Sequence, residues 1–135
     1  MGAKFRFQDL KIWQLAIEIT DDLLDIADEL EKKKFFRFAD QLRGASMSMS
    51  NNIAEGSGST SKTDFNKYLN YARRSTFENA NILILLNRRN LFANEKLDQL
   101  SDKFGKECRM ITNKKNTIIK RYAQCAMLLN GDYND

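Results

Sequence analysis

The sequence predicts an all-α fold, an antiparallel up-down-up-down four-helix bundle forming one domain over residues 1–135. Three observations carry this. The 135 residues contain no proline and only six glycines, so nothing in the chain must break a long helix. Four long stretches repeat their apolar residues at spacings of three and four. The segments between them are short and rich in lysine, glycine, serine or asparagine, which suits antiparallel neighbours. At 42% hydrophobic and 30% charged residues, the chain can bury a core.

The first helix is predicted over 9–32. Trp13, Ala16, Ile17, Thr20, Leu24 and Ala27 form one apolar or small stripe, and Ile12, Leu15, Ile19, Leu23, Ile26 and Leu30 form a second. Two stripes make a face wider than one bundle core demands. Either the helix is tucked between two neighbours, or Ile12 and Ile19 meet another subunit. Lys32, Lys33 and Lys34 close it, where cations suit the carbonyl end.

The second helix is predicted over 35–55, with Phe35, Phe38, Ala39, Leu42, Ala45, Ser46, Met49 and Ile53 inward. Its middle is built from small residues, including Gly44, that would let two backbones approach closely. A mid-helix glycine costs about 1 kcal/mol relative to alanine, and close packing at Gly44 would offset that. Gly56 reads as a glycine just past the helix end, opening the loop Gly56–Thr60. Glu55 then sits at a helix C-terminus, where the macrodipole disfavours an acid, so an arginine partner is expected: Arg43, Arg73 or Arg74.

The third helix is predicted over 64–90, capped by Ser61 or Thr63. Ile82-Leu83-Ile84-Leu85-Leu86 is apolar all the way round. A turn apolar on every side is expected to be buried on every side. This predicts a homo-oligomer, with Ile82, Ile84 and Leu85 at the subunit contact. The fourth helix is predicted over 95–129, capped by Asn94, with Leu97, Leu100, Phe104, Cys108, Ile111, Ile118, Tyr122, Cys125 and Leu129 inward. Cys108 and Cys125 lie 17 residues apart. On one helix that is about 25 Å, too far for a disulfide, and both read as small core residues.

Charge is distributed unevenly. The net charge is +4, yet Asp9–Glu31 holds eight acids and one base, whereas Lys103–Arg121 holds seven bases and one acid. Lys103, Lys106, Arg109, Lys114, Lys120 and Arg121 can form an outward face about 27 Å long, with Arg73-Arg74 and Arg88-Arg89 on the third helix as candidates to extend it. Three readings stand for it: a solvated surface, a site for RNA or DNA, or a dock for acidic protein, including the first helix of another copy. No surface alternation of aromatics and bases suggests stacking platforms. Nucleic-acid binding would therefore be backbone-driven and weakly sequence-specific. Lys115 is different, because it falls on the inward stripe. It either snorkels, pairs with a carboxylate, or lines a polar channel.

The chain has no histidine, which excludes Ser-His and Cys-His catalysis and the Glu-x-x-His pair of di-iron bundles. No phosphate loop or cysteine cluster is present. The expectation is a protein with no catalytic residues, no metal and no cofactor. No apolar run approaches the roughly 20 residues of a membrane helix, and no secretory leader is evident, so the expected location is cytoplasmic, without membrane partners.

Two stretches carry a resemblance. They are Phe7-Gln8-Asp9-Leu10-Lys11-Ile12-Trp13-Gln14-Leu15-Ala16, and Gln41-Leu42-Arg43-Gly44-Ala45-Ser46 continuing to Asn52-Ile53-Ala54-Glu55-Gly56. With Phe65, Leu69, Ala72 and Ser75 at helical spacing behind them, the chain resembles, over about residues 7–129, the four-helix bundle family linked to intervening sequences of 23S ribosomal RNA genes. That family is similar to the accessory protein of diversity-generating retroelements. The resemblance implies an up-down bundle assembled as a ring of five subunits. It also implies no enzymatic activity and, in the retroelement relative, a basic surface that binds nucleic acid and a reverse transcriptase. The segment Thr76–Asn81 is richer in asparagine than the family pattern.

Overall fold

The computed structural model describes residues 2–131 and is a four-helix bundle, with no strand among the described residues. A 3-10 turn at Arg6–Asp9 leads into α1 (Lys11–Lys32), followed by α2 (Phe36–Ser57), α3 (Lys62–Arg88) and α4 (Asn94–Gly131). Each helix packs on the next, and α4 returns to α1, so α1 lies between α2 and α4. That position accounts for its double stripe. The second stripe, Ile12 to Leu30, is buried throughout, while Trp13, Ile17 and Leu24 on the first are half-buried. No helix among the described residues is long and apolar enough to cross a membrane.

The start of the chain is fixed by two glutamines. The Phe5 backbone N–H donates to Gln8 Oε1 (2.7 Å), and Gln14 Nε2 donates to the Gln8 carbonyl (2.9 Å). Phe5, Phe7 and Trp13 continue the anchor as an aromatic row, with centroid separations of 5.5 and 5.2 Å.

The α1–α2 and α3–α4 turns are built alike. Lys34 (φ 70°) and Asn90 (φ 61°) are both left-handed. The next N–H in each case reaches back five residues, Phe35 to the Leu30 carbonyl and Leu91 to the Leu86 carbonyl, both at 2.9 Å. This is the Schellman arrangement, normally served by glycine or asparagine at the left-handed position. Asparagine fits the second turn, and lysine in the first is the less favourable occupant. Phe35 therefore lies outside α2 and is exposed rather than inward.

α2 runs two residues further than expected. Gly56 lies inside the helix, and Gly58 caps it with an ordinary right-handed φ of −80°. Gly56 is needed for space, since a Cβ there would sit 2.6 Å from Tyr68 Cβ and 2.9 Å from Phe65 Cδ2. Gly44 corrects the opposite expectation: it is exposed, and a Cβ there would meet nothing within 4 Å. The close approach of α2 occurs one and two residues later. Asn79 Nδ2 of α3 donates to the Ala45 carbonyl (2.8 Å), and the Thr20 hydroxyl of α1 lies 2.9 Å from the Ser46 carbonyl. Such short side chains reach a neighbouring backbone only where the helices nearly touch. Asn79 is fully buried and also donates to the Ser75 carbonyl (2.8 Å), which gives the asparagine-rich segment a structural role.

Ser61 caps α3 by accepting the Asp64 N–H (3.2 Å). Asn94 is the first residue of α4 rather than its cap, and its Oδ1 accepts from Asn87 Nδ2 (2.6 Å). Both cysteines are free, but Cys108 is half-buried and Cys125 exposed, so neither is a core residue. The side chains of Tyr122 and Leu129 lie outside the described residues.

Candidate nucleic-acid interface

α4 turns Leu100, Phe104, Ile111 and Ile118 into the core. At about 100° per residue, Arg109 and Lys120 then point away from the bundle and Lys106 flanks them. All three are exposed. Lys106 and Lys120 are fourteen residues apart, about 21 Å along the helix. Lys103, Lys114 and Arg121 fall on the side of α4 that faces α1. Arg121 is exposed, and Lys114 is half-buried beside a groove it shares with Asp9 and Lys11.

Lys103 leaves the outward set. Its ammonium lies 2.9 Å from Asp22 Oδ2 and 3.0 Å from Glu18 Oε1, across the α1–α4 contact. Hydrogen bonding to Asp22, then to Glu18, holds its pKa above the usual lysine value. The acids of α1 are largely engaged within the chain. Arg43 of α2 bridges Asp28 (2.9 Å) and Glu31 (3.0 Å), with Asp40 at 3.5 Å. Among the described residues, Glu55 forms no ion pair with Arg43, Arg73 or Arg74. Arg43 is committed to α1, Arg73 stacks over the Phe77 ring at 5.0 Å, and Glu55 instead lines a groove with Arg6 and Asp64. Among the described residues, Lys106, Arg109, Lys114, Lys120 and Arg121 form no ion pair.

Arg88 and Arg89 are exposed at the end of α3, beside the start of α4. Glu95, Asp98 and Asp102 lie on α4 between that end and Lys106. The two arginines therefore form a separate cationic spot and do not extend the α4 face.

Glu107 is the residue that the sequence marks only as the one acid of the basic segment. It is fully buried, and neither carboxyl oxygen has a hydrogen-bond partner. Burial pushes its pKa up to about 8, so at neutral pH it is mostly the uncharged acid. The seven bases of Lys103–Arg121 then stand almost unopposed within their own segment. The signal was available in the spacing, because position 107 falls between Phe104 and Ile111 on the core side of the wheel. Cys108, placed there instead, is rotated toward α3, and burial raises its thiol pKa.

Lys115 settles among its alternatives. It pairs with no carboxylate among the described residues. Its ammonium donates to Asn70 Oδ1 of α3 (3.2 Å), and it lines a cleft of about 440 Å³ between α3 and α4.

The residues assigned to a subunit contact divide. Ile12, Ile19 and Ile82 belong to the chain's own core and are unavailable to a second copy. Ile84 and Leu85 are 48% and 46% exposed, and Phe77, one heptad before Ile84, is 57% exposed. The Ile82–Leu86 turn is thus buried on one side and open on the other.

No curated protein matches the chain. The family profile described as 23S rRNA-intervening sequence protein matches residues 8–113, from the aromatic anchor to the middle of α4. With that match over most of its length and four packed helices, this chain belongs to the 23S rRNA-intervening sequence protein family.

Proposed function

We propose that this protein is a non-enzymatic, oligomeric up-down bundle that binds structured RNA through the outward face of α4, with weak sequence specificity. The observation that carries the reading is the contrast between Lys103 and its neighbours. Lys103, at the α1 contact, is matched by two carboxylates, whereas the outward Lys106, Arg109 and Lys120 have no ion-pair partner among the described residues. Lys106 and Arg109 lie about 4.5 Å apart along the axis and Lys120 about 16 Å further on, so they suit separate phosphates of one backbone, and release of condensed counterions supplies the affinity. The family description names ribosomal RNA, which favours RNA over DNA as the polyanion. Backbone contacts position a protein without reading bases, hence the weak specificity.

The test is binding of a structured RNA hairpin by the wild type and by a variant carrying Lys106→Glu, Arg109→Glu, Lys120→Glu and Arg121→Glu. The expected result is salt-sensitive binding by the wild type and its loss in the variant. Equal binding by both proteins would refute the reading.

A second feature supports self-association. Phe77, Ile84 and Leu85 form an exposed apolar stripe on α3, and such stripes on soluble bundles are commonly covered by another protein surface. A second copy of the chain, closing into a ring, is the occupant the family architecture favours.

A further inference from the structure

We infer that the cleft between the start of α3 and the later half of α4 is a nucleotide site that takes an unpaired residue of an RNA strand. The inference deepens the reading of α4 as an RNA-binding helix and assigns it a second, chemically different surface.

The cleft has a volume of about 440 Å³, within the range of roughly 300–1,000 Å³ that small-ligand sites occupy. Three lysines line it, Lys62 and Lys67 on α3 and Lys115 on α4, and no acidic residue does. That composition selects an anion. Two of the ammoniums are directed by neighbours in the chain. Lys115 is held by Asn70 Oδ1 at 3.2 Å, and Lys67 lies 5.9 Å from the centre of the Tyr71 ring.

The rest of the lining goes beyond what a bare phosphate needs. Ile118 and Ile119 supply an apolar wall from α4, suited to the face of a base or ribose. Asn66 also lines the cleft, and its Oδ1, closed off from solvent, has no hydrogen-bond partner, so the amide must turn to present it to a donor in the cleft. An unsatisfied buried acceptor costs free energy until a donor reaches it. A fully ionised phosphate has no donor to offer. A ribose hydroxyl or a base amino group has one, and the 2′-hydroxyl is the donor that distinguishes RNA. Cations for the phosphate, an apolar wall for the ring and an orphan acceptor for a hydroxyl or amine together describe a nucleotide. In a paired strand the base edge and face are already occupied, so the unpaired state is the one that fits.

The test compares three RNA probes: adenosine monophosphate, a six-residue oligoadenylate and a hairpin whose paired strands are joined by a non-nucleotide linker, so that no residue is unpaired. Each is titrated into the wild-type protein, into Lys115→Met with Asn66→Ala, and into the α4 face variant given above. A fourth protein, Lys62→Gln with Lys67→Gln, changes only exposed side chains and guards against loss of folding. The expected result is oligoadenylate binding weakened about tenfold or more in both cleft variants, with hairpin binding changed less than about threefold. The face variant shows the reverse pattern. Mononucleotide binding that the cleft variants abolish supports the site and identifies the free nucleotide as a sufficient ligand. Oligoadenylate that binds the cleft variants as tightly as the wild type, or does not bind the wild type at all, overturns the inference. Absence of hairpin binding alone would instead count against the α4 face.

Discussion

A carboxyl group with both oxygens buried and unpartnered is more stable as the acid than as the anion, and Glu107 is in that position. An ordinary glutamate releases its proton near pH 4.5, whereas folded Glu107 keeps its proton to about pH 8. Between those values the unfolded chain has released a proton that the fold retains. The group's contribution to stability is therefore complete below pH 4.5 and declines as pH rises to about 8, at about 1.4 kcal/mol per pH unit. Glu107→Gln keeps the shape and removes the titration. It is expected to flatten stability across this window and to exceed the wild type at pH 8 by on the order of 4 kcal/mol. Urea unfolding at pH 5 and pH 8 reads this directly, and parallel pH profiles would contradict it. Gly56 gives a steric counterpart. Gly56→Ala places a methyl 2.6 Å from Tyr68 Cβ, so a loss of about 1–3 kcal/mol is expected in the same assay. A gain would show that α3 can shift away at no cost.

At the scale of elements, the four helices were legible because helical spacing repeats many times in each, and their ends shifted by only a few residues. The details of the turns were not legible. The Gly56–Thr60 segment announces a break, but whether its glycine serves a left-handed φ or a close approach depends on α3, which spacing within α2 does not report. Gly44 shows the converse, since a small residue looks the same in sequence whether it faces a helix or water. The left-handed Lys34 was hidden among three lysines that read equally well as helix-end cations. It carries its own prediction. Lys34→Gly relieves the left-handed strain and is expected to raise thermal stability by about 1 kcal/mol, whereas Lys33→Gly, at φ −84°, gives no such gain. Equal effects at the two positions would remove the Schellman account of this turn.

At the scale of the whole molecule, sequence separates acids in α1 from bases in α4 but not which of them meet. The structure pairs Lys103 with α1 and leaves the outward cations open. Lys115 stood on the inward stripe with three readings, and only the position of Asn70 and the cleft selected one. Self-association belongs to this scale too. Ile84→Glu with Leu85→Lys changes exposed residues only, so the chain is expected to stay folded and to run as a monomer by light scattering while the wild type runs as an oligomer. A monomeric wild type at micromolar concentration would leave the α3 stripe without its proposed partner.

The most direct measurement is the dependence of hairpin affinity on salt for the wild type and for a neutral variant with Lys106→Gln, Arg109→Gln and Lys120→Gln. Three phosphate contacts, one from each of these residues, predict a slope of log K against log salt of about −2.7, and the variant should lose most of it. An unchanged slope would place the polyanion elsewhere on the molecule and contradict the role given to the outer face of α4.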